Sequence, residues 1–532
     1  MAEKTWENYK EKKRSKMQTL KELLNKNART YSDKTAFIFE NKRYTFKQVN
    51  QRINSLINAL ASMGVRTGDR VGLLAYNSSQ YFEVFNIAKA GRICVPLNYR
   101  SVARELVYLI NNAEANTLIL EKEFVDIILS IRHELVGVKN FICLDADVEN
   151  MASYEHLISS FPPDEPVDNV EADDPCVLFY TSGTTGRPKG AMHTHKSLLA
   201  EAAAVGQNFT PDDIALCVMP FFHVAGSAVY LFPAFASGAT VVIHKKFDET
   251  PILETIEREK VTYICLVPAM IIRLLEHPDL DKYDLSSLRT IVYTGAPMPF
   301  EALKQGVKRF GKIFVQLLGQ TETLNLTILK KEDHNIEGSA KETKRLESVG
   351  KPPKAGEVRI IDEHGHDVPV SEAGEIVARS DRMMKEYWKL PKETAEIMKG
   401  GWLHTGDLGR MDEDGYIYIV DRKKDMIISG GENIYSREVE EVLYTHPAVQ
   451  EAAVVGIPDE KWGEAVKAVI VLRNGMTATE DEIINSCKER LASYKKPKSV
   501  EFWDSLPMTG SGKIMKNEIR DRYWEGYEKK VH

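Results

Sequence analysis

The sequence predicts an α/β fold that gives way to a smaller β-rich unit and then to a compact α+β end. Three observations predict it. Continuous apolar strand candidates alternate with helical periodicity up to about Val349; short alternating strands between turn signals follow; and from Asp425 the order becomes helix, strand, strand, helix. Continuous apolar strands separated by helices fit sheets covered on both faces, whereas alternation fits a sheet with one solvated face.

In chain order, the first element is a basic N-terminal stretch, MAEKTWENYKEKKRSKMQTLKELL. It has no apolar core of the kind a secretory signal needs, and it reads as an exposed amphipathic helix. Strands are expected at 70–76, 176–181, 215–220, 240–243, 261–267, 290–293 and 313–317, with helices at 45–63, 196–207, 250–259 and 299–310. Residues 214–243 contain no Asp, Glu, Lys or Arg, enough to span a bilayer, but Pro220, His223, Gly226, Pro233 and Gly238 break the run. A buried stretch of a large core fits better than a membrane span. The β-rich unit offers strands at 357–361, 374–377 and 416–420, with turns at 362–365 and 412–415. The last unit offers a helix at 436–444, strands at 449–455 and 465–472, and a helix at 480–491. The charged run 421–425, Asp-Arg-Lys-Lys-Asp, has the composition of an exposed hinge, which divides the chain into domains at 1–423 and 424–532.

Composition narrows the function. With 532 residues the chain has room for two to four folding units. Its 70 basic against 77 acidic side chains are spread along the chain, which excludes a nucleic-acid-binding surface. Six cysteines without a C-x-x-C pair exclude a disulfide scaffold and a zinc site; they read as small buried hydrophobes of a cytoplasmic protein.

The strongest local signal is YTSGTTGRPKG at 180–190, where a buried strand runs into small hydroxyl residues, glycines and a lysine. Glycines let backbone amides turn toward an anion, hydroxyls add donors, and a lysine neutralises phosphate charge. The spacing is not that of a Walker loop. Four more motifs follow: Gly319-Gln320-Thr321-Glu322, GWLHTGD at 401–407, DRKKDMIISGGENI at 421–434, and LPMTGSGKI at 506–514.

Together, and in this order, these five motifs resemble the signatures of the adenylate-forming superfamily of acyl-CoA synthetases, nonribosomal-peptide adenylation domains and luciferases. The resemblance runs from about Asp33 to the C-terminus. It implies a large N-terminal domain of two α/β subdomains plus a small β-barrel-like subdomain, with a mobile α+β C-terminal domain. The implied reaction has two halves: a carboxylate attacks the α-phosphate of Mg-ATP to give an acyl-adenylate and pyrophosphate, then a thiol displaces AMP.

The resemblance also implies roles for matching residues. Thr181, Ser182, Gly183, Thr184, Thr185 and Lys189 would hold phosphates, with Glu322 and Thr184 as magnesium ligands. Gly295, Ala296, Pro297, Leu318, Gly319, Gln320 and Thr321 would border the nucleotide; Asp407 would accept the ribose hydroxyls, and Arg422 would contact ribose or phosphate. Lys513 would bridge the incoming carboxylate and the α-phosphate. Lys424 would be the hinge about which the Lys513 loop leaves and Gly430, Gly431 and Glu432 enter to line the CoA channel. His223 would lie near the acyl carboxylate; a general base is not required, because the acid is already ionised at neutral pH.

Two positions depart from the family pattern. Leu318 stands where many members stack an aromatic ring on adenine, and the small Val224-Ala225-Gly226-Ser227 replaces the tryptophan gate of some long-chain enzymes. The acyl pocket carried over by position, His223, Gly226, Ser227, Tyr230, Gly295, Ala296, Leu317, Gly319 and Leu324, has no charged side chain. An ATP-dependent carboxylate–CoA ligase for a medium-chain fatty or related apolar acid is the leading expectation, with ATP, CoA and magnesium required and a homodimer expected at family level. Alternatives are an aryl or alicyclic acid–CoA ligase, acid activation for a separate carrier protein, and a non-catalytic nucleotide-binding regulator.

Overall fold

The computed structural model of the protein describes residues 17–181, 187–296, 298–430, 432–488, 490–508, 513–525 and 527. Two eight-stranded sheets form its body. The first runs in the order Leu324–Leu329, Phe314–Gln320, Thr290–Thr294, Tyr263–Leu266, Ile214–Cys217, Thr240–Ile243, Thr35–Phe39 and Lys42–Thr45. Its inner pairs are parallel and its two edge pairs antiparallel. The second places Arg70–Leu74 between Ile93–Pro96 and Ala115–Leu120, with Pro175–Tyr180, Gly190–Thr194 and the two-residue strand Glu386–Tyr387 on one side. Parallel strands of this kind are buried on both faces, which is why they read as unbroken apolar runs. One hydrophobic core contains Phe37 of the first sheet, Val71 and Phe179 of the second, and Phe82 and Phe235 from helices between them. The Phe37, Phe82 and Phe235 rings lie 4.5–5.6 Å apart centre to centre.

The β-rich unit is a five-stranded antiparallel sheet built from Gly356–Ile361, Gly374–Ser380, Trp402–Met411, Met398–Lys399 and Ile417–Arg422. A second five-stranded sheet, with Gly463–Leu472 at its centre and its hairpin partner Val449–Asp459 at the edge, forms the C-terminal unit with helices Ser436–Leu443, Glu480–Lys488 and Lys516–Tyr523. The charge-free run 214–243 is divided into a strand, short helical turns and a second strand. Among the described residues no helix is long and apolar enough to cross a membrane. All six cysteines are buried thiols.

Two expectations are corrected. The N-terminal helix, Leu20–Thr30, is not exposed: Leu20, Leu23, Leu24 and Asn27 fall on one face and are buried, and Asn27 donates to the Phe235 carbonyl at 2.8 Å. An i, i+3, i+4, i+7 spacing makes that stripe, and residues 1–16 lie outside the described part. The run 421–425 is likewise not an exposed linker. Its first two residues continue the strand Ile417–Arg422, and Asp421 is only 4% exposed. Its carboxylate is satisfied by Ser436, whose hydroxyl donates to it at 2.9 Å, so a charged residue is tolerated inside.

Three fully buried imidazoles give the fold a pH dependence. His193 is bonded to the Thr321 carbonyl (2.7 Å), His195 accepts from the Leu20 amide (3.2 Å), and His334 bonds the Lys330 carbonyl (2.7 Å). Burial pushes each from 6.5 down to about 4. As pH falls from 6.5 toward 4, the unfolded chain takes up protons that the folded chain does not, so stability is lost across that window. Each imidazole contributes on the order of 3 kcal/mol to the loss. Glu201, buried and pushed up to about 8, gives the opposite slope; the raised carboxyls of Glu83, Glu121, Asp421 and Glu440 join it at the acid end, while His223, also pushed down to about 4, adds to the three imidazoles. Urea titrations at pH 7.5, 6.0 and 5.0 are expected to give a midpoint that falls steeply below pH 6.5; a flat midpoint would contradict the assignment of neutral buried imidazoles.

Candidate active site

In the first sheet, three segments leave the carboxyl ends of parallel strands: the stretch to His223 after Ile214–Cys217, Gly295 after Thr290–Thr294, and Thr321-Glu322 after Phe314–Gln320. The crevice beyond such ends is the natural ligand position of an open α/β sheet. Gly295 turns there with φ +88°, a left-handed conformation that suits glycine, and leads to Ala296. At Gly319 the hairpin to Leu324–Leu329 closes so tightly that a β-carbon would stand 1.8 Å from the Leu324 carbonyl oxygen. Thr323 Oγ1 accepts the Gln320 amide at 3.0 Å and fixes the turn, while Leu318 is partly buried against the core of the β-rich unit.

The second sheet contributes the hydroxyl-rich loop. Pro175–Tyr180 and Gly190–Thr194 pair antiparallel up to Tyr180 opposite Gly190. The Thr181 amide then donates to the Lys189 carbonyl at 2.9 Å, and the Lys189 amide donates to Thr181 Oγ1 at 3.3 Å. Thr181 and Lys189 therefore pin the base of the loop. Ser182, Gly183, Thr184 and Thr185 lie outside the described residues, as do Pro297 and Gly431.

Around the crevice, charged groups converge from the first sheet, the β-rich unit and the C-terminal unit. Asp407, buried, accepts from Gln320 Nε2 at 2.7 Å and pairs with Arg422 Nε at 3.1 Å. Asp407 and Arg422 face each other across adjacent antiparallel strands, so the pair is set by register. Glu322 receives the Tyr387 hydroxyl on Oε1 at 2.6 Å, and its carbonyl accepts the Met384 amide at 2.8 Å. Lys513 arrives from the C-terminal unit. Burial lowers its pKa and the Arg422 charge lowers it further, against the attraction of Asp407 and Glu322. The charges acting on Lys513 are thus those of the N-terminal site. His223 is pushed down to about 4, first by burial and then by the Lys513 charge, and so is neutral at pH 7. Its Nδ1 accepts the Ala225 amide at 3.3 Å, and its carbonyl accepts from Ser227 Oγ at 3.1 Å.

Behind His223, Gly226 lies against the chain: a β-carbon there would stand 2.4 Å from the Pro220 carbonyl oxygen. Tyr230, Leu317 and Leu324 are buried in one core. Tyr230 sits beside Phe209 and Tyr263, and its hydroxyl has no hydrogen-bond partner among the described residues.

Gly430 and Glu432 belong to the C-terminal unit's hairpin of Ile427–Ser429 and Glu432–Ile434. Gly430, with φ +62°, donates its amide to the Trp462 carbonyl at 2.8 Å, and Glu432 is exposed. Lys424 is partly buried, its carbonyl held by Arg520 Nη1 at 2.9 Å. The sequence reading did not single out Tyr387 or Trp462. Trp462 is 43% exposed, with the Lys461 and Lys498 ammonium groups 4.7 and 5.2 Å from its ring. Nothing in the sequence marks Trp462, because Gly430 meets it only across the fold.

The family profile described as AMP-binding enzyme matches residues 24–388, and that described as AMP-binding enzyme C-terminal domain matches residues 438–513. A feruloyl-CoA synthase of Amycolatopsis sp is 40% identical over 482 residues, 90% of this chain and 94% of that protein. A medium/long-chain-fatty-acid–CoA ligase of Mycobacterium tuberculosis is 36% identical over 523 residues, 93% of this chain and 88% of its own. The crystal structure of an anthranilate CoA ligase in complex with anthranoyl-AMP is similar with a TM-score of 0.86 at 30% identity, over 95% of this chain and 97% of that one.

Proposed function

The chain belongs to the AMP-binding enzyme family and is an AMP-forming acid–CoA ligase with ATP and CoA as substrates; from that premise we propose that its acid is a medium-chain fatty acid or a related apolar monocarboxylate, and that the converging charges perform the chemistry. The observation that carries the reading is the meeting of Lys513 with Glu322, Asp407, Arg422 and His223 at the strand ends.

Adenylation brings a carboxylate against a polyphosphate, so like-charge repulsion is the main barrier and fixed cations are the remedy. Lys513 stands between the two anions, with Arg422 at the ribose or phosphate. Asp407, already fixed by Gln320 and Arg422, retains lone pairs for the ribose hydroxyls. Thr181 and Lys189 set the mouth of the phosphate loop. Neutral His223 orients the incoming carboxylate by hydrogen bonding rather than by taking a proton.

The donor set at Glu322 fits magnesium, since one oriented carboxylate plus phosphate oxygens and waters is what that cation accepts. Glu322 and Thr184 would hold it, and when bound it neutralises phosphate charge.

The division at 423/424 supplies the second half-reaction. Rotation at Lys424 removes Lys513 and brings in Gly430, Gly431 and Glu432 beside the thiol. Trp462, 43% exposed and with two lysines over its ring, is suited to the nucleotide end of CoA. An aryl acid is the second reading. The unpartnered Tyr230 hydroxyl favours it, because it offers a buried donor or acceptor to a substituted ring.

Three measurements test this. AMP formation with CoA across an acid panel is expected to favour apolar C6–C12 or substituted aryl acids over dicarboxylates by about tenfold or more in kcat/KM. A strong preference for C16–C18 acids would overturn the reading of a pocket closed by small residues. Lys513→Ala is expected to cut ATP–pyrophosphate exchange by about 100- to 1,000-fold while leaving thioester formation from supplied acyl-adenylate nearly intact. Equal loss in both steps would contradict its departure. Trp462→Ala is expected to raise the KM for CoA by about tenfold with those for ATP and acid unchanged.

A further inference from the structure

Tyr387 stands between two groups of opposite charge. Its hydroxyl donates to Glu322 Oε1 at 2.6 Å, and the Lys189 ammonium lies 5.2 Å from the centre of its ring. We propose that Tyr387 is a positioning residue that keeps Lys189 and Glu322 from pairing with each other, so that Lys189 remains available to a phosphate and Glu322 Oε2 to a divalent cation.

The backbone fixes the ring's place closely. Glu386–Tyr387 is a strand paired antiparallel with Gly190–Thr194, with Tyr387 opposite Ala191 and so beside Lys189. On either side the Lys385 amide donates to the Met192 carbonyl at 2.7 Å and the Trp388 amide to the Gly190 carbonyl at 2.8 Å. The Tyr387 amide donates to Thr394 Oγ1 at 3.0 Å. The same segment grips Glu322 a second time, through the Met384 amide on its carbonyl. Tyr387 is 5% exposed, so its ring and hydroxyl are held inside the site.

The chemistry of a phenol suits this place. A lysine and a carboxylate of one open site attract each other, and a direct pair would have to be broken each time a phosphate and a cation entered. Tyr387 gives each a weaker partner than its opposite charge: a neutral O–H to the carboxylate, a π face to the ammonium. Both are oriented and neither is neutralised. Leucine at this position would fill much of the volume and do neither; phenylalanine would retain only the face.

The inference rests on Glu322 as the cation-binding carboxylate, so Glu322→Gln is measured alongside Tyr387→Phe and Tyr387→Leu. Two readouts are used: the free Mg2+ concentration for half-maximal ATP–pyrophosphate exchange, and calorimetric binding of a non-hydrolysable ATP analogue with and without Mg2+. For Tyr387→Phe the Mg2+ half-saturation is expected to rise about five- to tenfold, and the gain in analogue affinity on adding Mg2+ to shrink by a similar factor. The KM for the acid and the melting temperature stay close to wild type. Tyr387→Leu is expected also to weaken analogue binding without Mg2+ by about tenfold, as Lys189 turns to Glu322. A Tyr387→Phe enzyme with wild-type Mg2+ half-saturation and an undiminished Mg2+ gain, beside a Glu322→Gln enzyme that is shifted in both, would overturn the role of Tyr387 alone. If Glu322→Gln is unshifted as well, the reading of Glu322 falls and the proposal with it. Should Tyr387→Leu fail to fold, Tyr387→Phe still decides the matter.

Discussion

Asp407 joins two parts of the chain through one carboxylate and is itself fixed by its backbone amide. Gln320 reaches it from the end of a strand in the first sheet, Arg422 from the last strand of the β-rich unit, and its own amide donates to Thr405 Oγ1 at 3.1 Å. A buried carboxylate without such partners is costly. The β-rich sheet therefore has to dock on the first sheet in the one register that brings Gln320 and Arg422 to the same anion. The Asp407 charge also attracts the buried Lys513 ammonium, against burial and the repulsion of Arg422. One anion thereby ties a lysine from the far end of the chain to a strand end of the first sheet.

The other charges are arranged on the same logic. Lys189, Arg422 and Lys513 share one site with Glu322 and Asp407, and opposite charges gathered in one site tend to pair with each other. Arg422 and Asp407 pair directly. Glu322 is held by a phenol and by a backbone amide on its carbonyl, and Lys189 by a ring face. The overall charge of -7 has little bearing on this, because the site's field is set by five or so groups at short range.

The parallel strands were legible because burial on both faces leaves an unbroken apolar run, and the predicted spans 240–243 and 290–293 agree with Thr240–Ile243 and Thr290–Thr294 to within a residue. The turn at Gly319 was legible as a motif, but its cause, the approach of the Leu324 carbonyl, lies across the hairpin and is seen only in the fold. The run 421–425 misled for a related reason. Charge in a sequence reads as exposure, and the groups that let Asp421 go inside, Ser436 and Lys516, come later in the chain and from two different helices. Tyr387 was passed over because an aromatic residue in E-Y-W-K-L-P reads as core. It is core, and its hydroxyl is what the pattern does not reveal.

The junction between the two domains limits how Lys513 can be delivered. Asp421 lies before the proposed pivot at Lys424, and its carboxylate accepts the Ser436 hydroxyl from beyond it. Lys516 donates to that same hydroxyl at 2.7 Å and pairs with Glu440 at 2.7 Å, while Arg520 holds the Lys424 carbonyl. Lys516 and Arg520 are on the helix that follows the Lys513 segment, so the helix is anchored at the pivot itself. Lys513 is only three residues before that anchor, so little chain has to be ordered to aim it. The same economy has a consequence for any rotation at Lys424: Ser436 and Lys516 would swing away from Asp421, and a buried carboxylate left behind must find water or new donors. Rotation about the proposed pivot would thus exchange one set of buried polar contacts for another, an arrangement that favours two discrete orientations over a continuum.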